Sequence, residues 1–251
     1  MIYMGSKSKI AKDIVPIIQS YIDDNSCKIY IEPFNGGANI IDKIECDTKI
    51  GSDLNKYLIA LLNRVKNNGS LYESVSKELY DKAKFALRNN TNEFEDWQIG
   101  NIGFLASYNG RWFDGGYSGT GYEKTKNGSR LRNYYQEAKN NLLKQAVNGG
   151  FKKCIFKCCD YTKYLNLNLK NCVIYCDPPY QNTKQYSNAI NFDYDKFWQW
   201  CRNMSKNNIV IVSELKAPED FVCIWQKETN RSINANDKNK KVVEKLFIYK
   251  S

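Results

Sequence analysis

The segment Asp177-Pro178-Pro179-Tyr180 combines the residue types in this sequence that are best suited to chemistry. It directly follows an apolar run, residues 173–176, that predicts a strand. We therefore expect the segment at the carboxyl edge of a sheet, where ligands bind in α/β proteins. The two prolines fix a turn and remove two N–H donors, which leaves backbone carbonyls free to accept from a ligand. A purely structural turn is the alternative.

The acid and the prolines together could activate an amino group on a nucleobase. Such a nitrogen is a poor nucleophile because its lone pair is delocalised into the ring. If the Asp177 carboxylate and the Pro178 carbonyl accept its two hydrogens, the lone pair is released to attack an activated methyl group in line. The base must leave a duplex to be reached, and Tyr180 offers a face for stacking. No general base is needed before the attack, and the chain contains no histidine that could serve as one.

A second group of residues predicts a nucleoside-binding turn. Gly36 and Gly37 follow a short predicted strand, residues 28–31, and glycines allow the backbone to approach a ligand closely. Asp53 ends a second predicted strand about twenty residues after Glu32, where a carboxylate commonly accepts hydrogen bonds from ribose hydroxyls. The G-x-G-x-x-G pattern of dinucleotide sites is absent. This favours a cofactor without phosphate, such as S-adenosylmethionine, with a structural turn as the alternative.

The charge distribution predicts a polyanionic partner. The formal net charge is +10, and residues 111–157 hold ten Lys or Arg against three Asp or Glu. A positive charge concentrated in this way favours DNA or RNA. A solvated lysine-rich surface is the alternative.

The nine cysteines predict reduced thiols and no metal site. Neither Cys154, Cys158 and Cys159 nor Cys172 and Cys176 show zinc-ligand spacing. No N-terminal run pairs a basic end with an apolar stretch, so we expect no secretory leader. No stretch is apolar enough to span a membrane, so the expected location is the cytoplasm.

The elements around these residues alternate as in an α/β fold. An amphipathic helix through residues 10–21 precedes the first strand, a helix is expected between the first two strands, and strands resume at Cys154–Cys158, Cys172–Cys176 and 208–212. Asp193 is expected to cap a helix, and residues 242–249 end on a strand pattern. Residues 62–150 do not alternate. The predicted domains are residues 1–61 with 151–251, and an insertion at 62–150.

In this order the segments resemble those of the Dam-type (D12 class) DNA adenine methyltransferases over nearly the whole chain. The resemblance implies a Rossmann-like class I methyltransferase sheet with an inserted, mainly helical target-recognition domain and a β-hairpin. It also implies transfer of a methyl group from S-adenosylmethionine to adenine N6 in double-stranded DNA, with S-adenosylhomocysteine as product. The residues that it assigns to the cofactor are Tyr3, Lys7, Glu32, Phe34, Gly36, Gly37, Asp53, Asp160, Tyr161 and Asp177. Ser213-Glu214 with Ala217-Pro218 resembles a late segment near the active site.

The DNA-reading segments resemble the family less closely. Tyr108-Asn109-Gly110 is similar to the segment that enters the target site, but the arginine expected at the position of Phe113 is missing. The Pro-Phe-Gly turn of the family's hairpin is also missing, with Gly119-Thr120-Gly121-Tyr122 nearby instead, so recognition of GATC does not follow. Asn109 and Arg111 are candidate base readers. The candidate phosphate contacts are Lys124, Lys126, Arg130 and Arg132, and a structural or solvated role is the alternative for all six.

Three other functions remain open from the sequence. A cytosine-N4 methyltransferase shares the chemistry, although its catalytic segment more often begins with Ser. A catalytically silent relative could bind DNA as a repressor or decoy, and RNA is a third possible substrate. A monomer or weak dimer is expected, and bacterial and phage origins both fit, with or without an accompanying restriction enzyme.

Overall fold

The computed structural model describes residues 1–125, 128–180, 192–231 and 240–250. The six helices of this part of the chain are α1 (Ala11–Asp24), α2 (Lys56–Lys66), α3 (Lys77–Asn89), α4 (Asp96–Gly100), α5 (Tyr134–Gln145) and α6 (Tyr194–Ser205). The nine strands are β1 (Ile29–Glu32), β2 (Thr48–Asp53), β3 (Thr120–Thr125), β4 (Gly128–Asn133), β5 (Cys154–Cys158), β6 (Cys172–Cys176), β7 (Ile209–Glu214), β8 (Phe221–Arg231) and β9 (Lys240–Tyr249).

Seven of the strands form one sheet in the order β5-β2-β1-β6-β7-β9-β8. Strand β6 pairs in parallel with β1 on one side and with β7 on the other, whereas β9 runs antiparallel to both β7 and β8. All five residues of β6 are buried, as expected for a central strand covered on both faces. This topology confirms the predicted α/β class with a mostly parallel central sheet.

By its contacts the chain divides into two compact units. The first unit comprises residues 1–15, 35–45 and 51–159, and the second comprises residues 16–34, 46–50 and 160–251. In the second unit, the Asp193 carboxylate caps α6 by accepting from the Lys196 amide at 2.9 Å, as predicted. Helix α6 then buries an aromatic and sulfur-containing face that includes Phe197, Trp200 and Cys201.

The first unit contains helices α2 to α5 and the separate hairpin of β3 and β4. Helices α2 and α4 meet at Gly100, where a Cβ atom would lie 2.2 Å from the Tyr57 carbonyl oxygen, so a side chain could not be accommodated there. A buried π-helical turn, Asn101–Leu105, follows α4. The Asn101 side-chain oxygen accepts from the Tyr72 amide at 3.2 Å and from the Tyr135 hydroxyl at 3.1 Å. The predicted combination of helices with a β-hairpin is therefore present.

Helix α1 confirms the predicted amphipathic pattern, since Ile14, Ile18 and Ile22 are all buried. The helix predicted between β1 and β2 is wrong. Only a 3-10 turn, Ile41–Lys43, lies there, because Ala38 has a φ of +55° and Ile44 is extended. The isoleucines of this stretch are buried from a loop, and β-branched side chains add little helix propensity.

Strand β8 was not predicted. Much of its length is exposed and polar, including Gln226, Lys227 and Glu228, so it lacks the apolar alternation that indicates a strand. No helix in the described ranges is both long enough and apolar enough to cross a membrane.

Candidate active site

The segment Asp177-Pro178-Pro179-Tyr180, called the DPPY segment below, begins where β6 ends. The parallel register pairs Ile174 with Ile31 of β1 and Cys176 with Val212 of β7. The carboxyl ends of three neighbouring strands therefore lie at the same edge of the second unit. Such an edge is where α/β proteins place their ligands.

Hydrogen bonds hold the hydroxyl groups of two tyrosines at this edge, Tyr180 and Tyr194. The Tyr180 hydroxyl donates to Glu244 Oε2 at 2.6 Å and lies 3.0 Å from Ser213 Oγ. The Tyr194 hydroxyl donates to the Pro179 carbonyl oxygen at 2.7 Å. Burial, followed by the charges of Asp177 and Glu244, raises the pKa of Tyr180 well above its ordinary value. The phenol is thus a neutral hydrogen-bond donor, held in one orientation.

The Tyr180 side chain is largely enclosed, with a relative exposure of 5%. The sequence predicts that a flipped base stacks on its ring, and that role stays a prediction.

In the second unit, β1 ends at Glu32, and Phe34 lies two residues beyond it. Glu32 is buried and its Oε1 accepts from the Tyr30 hydroxyl at 2.7 Å. The Phe34 ring lies 5.3 Å from the ring of Tyr161 and 5.7 Å from that of Phe197, measured between centroids. The structure therefore brings together two residues, Phe34 and Tyr161, that the sequence assigned separately to the cofactor.

Asp160 and Tyr161 have identifiable local roles. Asp160 caps a 3-10 helix, Tyr161–Leu167, by accepting from the Thr162 amide at 2.9 Å. Burial, with smaller contributions from the charges of Asp160 and Asp193, raises the pKa of Tyr161 to about 12. Tyr161 is therefore a neutral aromatic at physiological pH.

In the first unit, the glycine turn is fastened to Asp53. The Gly36 amide donates to Asp53 Oδ2 at 3.2 Å, and the Asn55 amide donates to Oδ1 at 2.9 Å. The backbone at Gly36 has a φ of +47°, which favours glycine. Burial raises the pKa of Asp53, while the amides of Asn55 and Gly36 oppose that rise. Asp53 as a residue is half-buried, and each carboxylate oxygen has lone-pair capacity beyond the one amide that it accepts.

Tyr3 covers the same turn. A Cβ atom at Gly36 would lie 2.9 Å from Tyr3 Cε1, and one at Gly37 would lie 2.8 Å from Tyr3 Cβ. The predicted cofactor residues Tyr3, Gly36, Gly37 and Asp53 are thus brought together in the first unit. Lys7, also predicted, is buried at the start of a 3-10 turn, Lys7–Lys9.

The loop predicted to enter the DNA, Tyr108-Asn109-Gly110, has exposed residues at its start and a closely packed glycine at its end. Tyr108 and Asn109 are exposed, and Asn109 has a φ of +53°. Gly110 lies so close to the N-terminal segment that a Cβ atom there would be 2.4 Å from the Ile2 carbonyl oxygen. Phe113, where the family has arginine, is buried, and its amide donates to Ser107 Oγ at 2.9 Å. Arg111 Nε is enclosed and has no hydrogen-bond partner among the described residues.

The residues of the β3–β4 hairpin that were predicted to contact phosphates differ in their surroundings. Lys124 and Arg130 are exposed and form no ion pair with the described residues. Arg132 pairs with Glu123 at 2.9 Å and also with Glu137, so its charge is neutralised within the protein. The Glu137 hydrogen bond is the main cause that raises the pKa of Arg132. Lys126 lies outside the described residues.

The sequence missed Glu244 and Tyr194, and it assigned Ser213 only by resemblance. The signal for Glu244 was an acid within the apolar pattern of residues 242–249, at a position that alternation predicts to be buried. None of the nine cysteines, all of which lie among the described residues, forms a disulfide, and the described ranges contain no group of three or more metal-ligating side chains.

The chain is similar in sequence to two curated DNA adenine methylases. The one from Haemophilus influenzae is 25% identical over 258 residues, which cover 98% of this chain and 81% of the relative. The one from Salmonella typhimurium is 26% identical over 207 residues, covering 78% of this chain and 69% of the relative. Among solved structures, TrmN from Thermus thermophilus aligns with 97% of this chain and 52% of its own, with a TM-score of 0.38 and 8% identity.

The model of one protein family matches residues 3–200. This range includes the turn at Gly36 and Gly37, the loop at residues 108–110, the hairpin of β3 and β4, and the DPPY segment. These are the features that the resemblance predicted. The chain belongs to the D12 class N6 adenine-specific DNA methyltransferases.

Proposed function

We propose that this enzyme transfers the methyl group of S-adenosylmethionine to N6 of an adenine that is flipped out of double-stranded DNA. The observation that carries the proposal is the DPPY segment at the end of the buried central strand β6. Family membership supports adenine N6 as the acceptor and DNA as the substrate.

The DPPY segment supplies two acceptors for the target amine. The described residues place no hydrogen bond on the Pro178 carbonyl, whereas the Pro179 carbonyl already accepts from Tyr194. The Pro178 carbonyl is thus available to take one amine hydrogen, and the Asp177 carboxylate can take the other. Together they withdraw the nitrogen lone pair from the ring, as preorganised acceptors do where charge develops in a transition state.

The residues assigned to the cofactor fit a nucleoside. In the first unit, the carboxylate of the half-buried Asp53 is oriented by two backbone amides and suits ribose hydroxyls. In the second unit, the neutral rings of Phe34 and Tyr161 suit an adenine ring. Asp160, Glu32, Tyr3 and Lys7 are proposed to complete the binding set. When bound, the sulfonium cofactor supplies an activated methyl group, so no metal is required.

We assign DNA reading to residues 62–150. Asn109 and Arg111 are proposed to read base edges, and Tyr108 is proposed to enter the target site. Lys124 and Arg130 are proposed to contact phosphates, because they are exposed and unpaired within the described chain. We expect the enzyme to act as a monomer or weak dimer.

The identity of the methylated base tests the proposal. Duplex DNA is incubated with the enzyme and isotopically labelled S-adenosylmethionine, digested to nucleosides, and separated. We expect label in N6-methyladenine. Label in methylcytosine without methyladenine would favour a cytosine-N4 enzyme, and label only in an RNA control would make RNA the substrate. No label in any base would favour a silent DNA-binding relative.

A further inference from the structure

A buried acid lies behind the DPPY segment and has no place in the chemistry described so far. Glu244 lies within β9, with a relative exposure of 5%, and its Oε2 accepts from the Tyr180 hydroxyl at 2.6 Å. Ser213 of β7 lies 3.0 Å from the same hydroxyl and has a relative exposure of 1%. Residues from two neighbouring antiparallel strands therefore converge on one phenol.

The direction of these hydrogen bonds follows from the chemistry of the groups. An ionised carboxylate only accepts, so Tyr180 donates its single proton to Glu244. The Tyr180 oxygen can then accept from the Ser213 hydroxyl, which is able to donate. These two hydrogen bonds fix the position of the Tyr180 oxygen, so the ring cannot be displaced without breaking both of them.

A carboxylate at this position is not needed for packing. Its neighbours along β9, Leu246 and Phe247, are buried apolar residues. Burying an acid costs free energy unless it is well hydrogen-bonded, and apolar replacements of buried polar pairs are often neutral or stabilising. The hydrogen-bonded pair adds a defined orientation of Tyr180.

We infer that Glu244 is a positioning residue for methyl transfer, holding Tyr180 so that the DPPY segment presents its acceptors and its aromatic edge to the target base in one arrangement. This inference rests on the proposed function and deepens it. Ser213 acts with Glu244 as the weaker second anchor, because it is a neutral partner and Glu244 is a charged one.

Three variants separate positioning from folding. Glu244→Gln keeps an acceptor oxygen, Glu244→Ala removes it, and Glu228→Ala is the matched control. Glu228 is an exposed acid of the same β8–β9 hairpin, paired with Lys241 at 2.9 Å. The measurements are kcat, the KM for DNA, the Kd for S-adenosylmethionine, and the fluorescence of 2-aminopurine at the target position, which reports the base leaving the stack.

We expect Glu244→Ala to lower kcat by about 10- to 100-fold, the effect of a small misplacement of reacting groups. Its Kd for the cofactor should stay close to wild type, and its 2-aminopurine signal should change. Glu244→Gln should restore most of kcat, and Glu228→Ala should match wild type. A folded Glu244→Ala enzyme with wild-type kcat and fluorescence would overturn the inference. So would a Glu244→Gln enzyme that is as slow as Glu244→Ala.

A double-mutant cycle of unfolding measurements tests whether Glu244 and Tyr180 interact directly, and it does not require the enzyme to be active. The free energy of unfolding is compared for wild type, Tyr180→Phe, Glu244→Ala and the double variant. Non-additive effects support a direct Tyr180–Glu244 pair, and additive effects contradict it. A wild-type enzyme that fails to methylate DNA refutes the proposed function, while the cycle still shows whether Glu244 holds Tyr180.

Discussion

Two tyrosines show how differently the two working regions of this enzyme are built. Tyr180, in the DPPY segment, has a relative exposure of 5% and a hydroxyl held by Glu244 and Ser213. Tyr122, in the hairpin of β3 and β4, has a relative exposure of 74% and lies opposite the exposed Leu131. The region proposed for chemistry holds Tyr180 in one position, whereas the hairpin proposed for DNA contact keeps Tyr122 and Leu131 in solvent. Preorganisation favours catalysis, and exposed side chains are available to a large ligand.

The same contrast recurs within the hairpin itself. Arg132 lies at its base and is neutralised by two carboxylates, while Arg130 stays exposed two residues earlier. Arg132 is therefore paired within the protein, and Arg130 is the one of the two that we propose for a phosphate contact. Adjacent residues of one type can have separate functions, and substitution can distinguish them.

The largest expected effect comes from removing the carboxylate of Asp177 in the DPPY segment. Asp177→Ala should lower the rate of adenine methylation by about 1,000-fold or more, because one of two preorganised acceptors is lost. Single-turnover methylation of duplex DNA measures the loss. Asp195→Ala, which removes an exposed acid in the first turn of α6, serves as the control and should retain activity. Full activity of the Asp177 variant would remove the DPPY segment from the mechanism.

An intermediate effect is expected at Asp53. Asp53→Asn should weaken S-adenosylmethionine binding by about 10- to 100-fold, since a hydrogen bond to a charged group contributes about 1.5–3 kcal/mol. Burial raises the pKa of this carboxyl, so it gains a proton at a higher pH than an exposed aspartate does. Wild-type affinity should therefore fall as the pH is lowered through that raised pKa.

Isothermal titration of the cofactor at several pH values measures both effects. The Asp53→Asn protein should lose this acidic drop in affinity, because its amide does not titrate. An unchanged pH profile in the variant would show that another group is responsible.

The smallest effects should distinguish the two arginines of the hairpin. Arg130→Ala should weaken DNA binding and lower the slope of log Kd against log salt by about 1, the value for one lost phosphate contact. Arg132→Ala should leave that slope unchanged and lower the melting temperature slightly, because it removes a scaffold ion pair. The opposite assignment of slopes would reverse the roles given to the two residues.

Much of this arrangement could be predicted from local sequence. The buried strands β1, β6 and β7 carry strong apolar runs, and Asp193 precedes α6 as a capping residue, so their positions follow from short-range patterns. The pairing of Phe34 with Tyr161 and the contact of Tyr3 with Gly37 could not be predicted in this way. They join residues far apart in the chain, and local periodicity contains no information about which distant residues meet.

Glu244 and Arg132 show the same limit for function. Residue type alone suggests that an acid within a strand is exposed and that an arginine in a basic stretch is available. The actual roles depend on Tyr180 across the sheet and on Glu123 and Glu137 beside the hairpin. Charge can be counted from sequence, but its neutralisation depends on tertiary contacts.

The strand order has a consequence for solubility as well as for catalysis. It leaves β5 and β8 at the two edges of the sheet, with backbone groups that could pair with another chain. Lys152 and Lys153 are exposed just before β5, and Lys157 is exposed within it. Strand β8 has the exposed charges of Lys227 and Glu228. Charged edges discourage sheet-to-sheet aggregation. The three lysines at β5 add to the net charge of +10, and we expect them to discourage self-association at that edge, independently of any role in holding DNA.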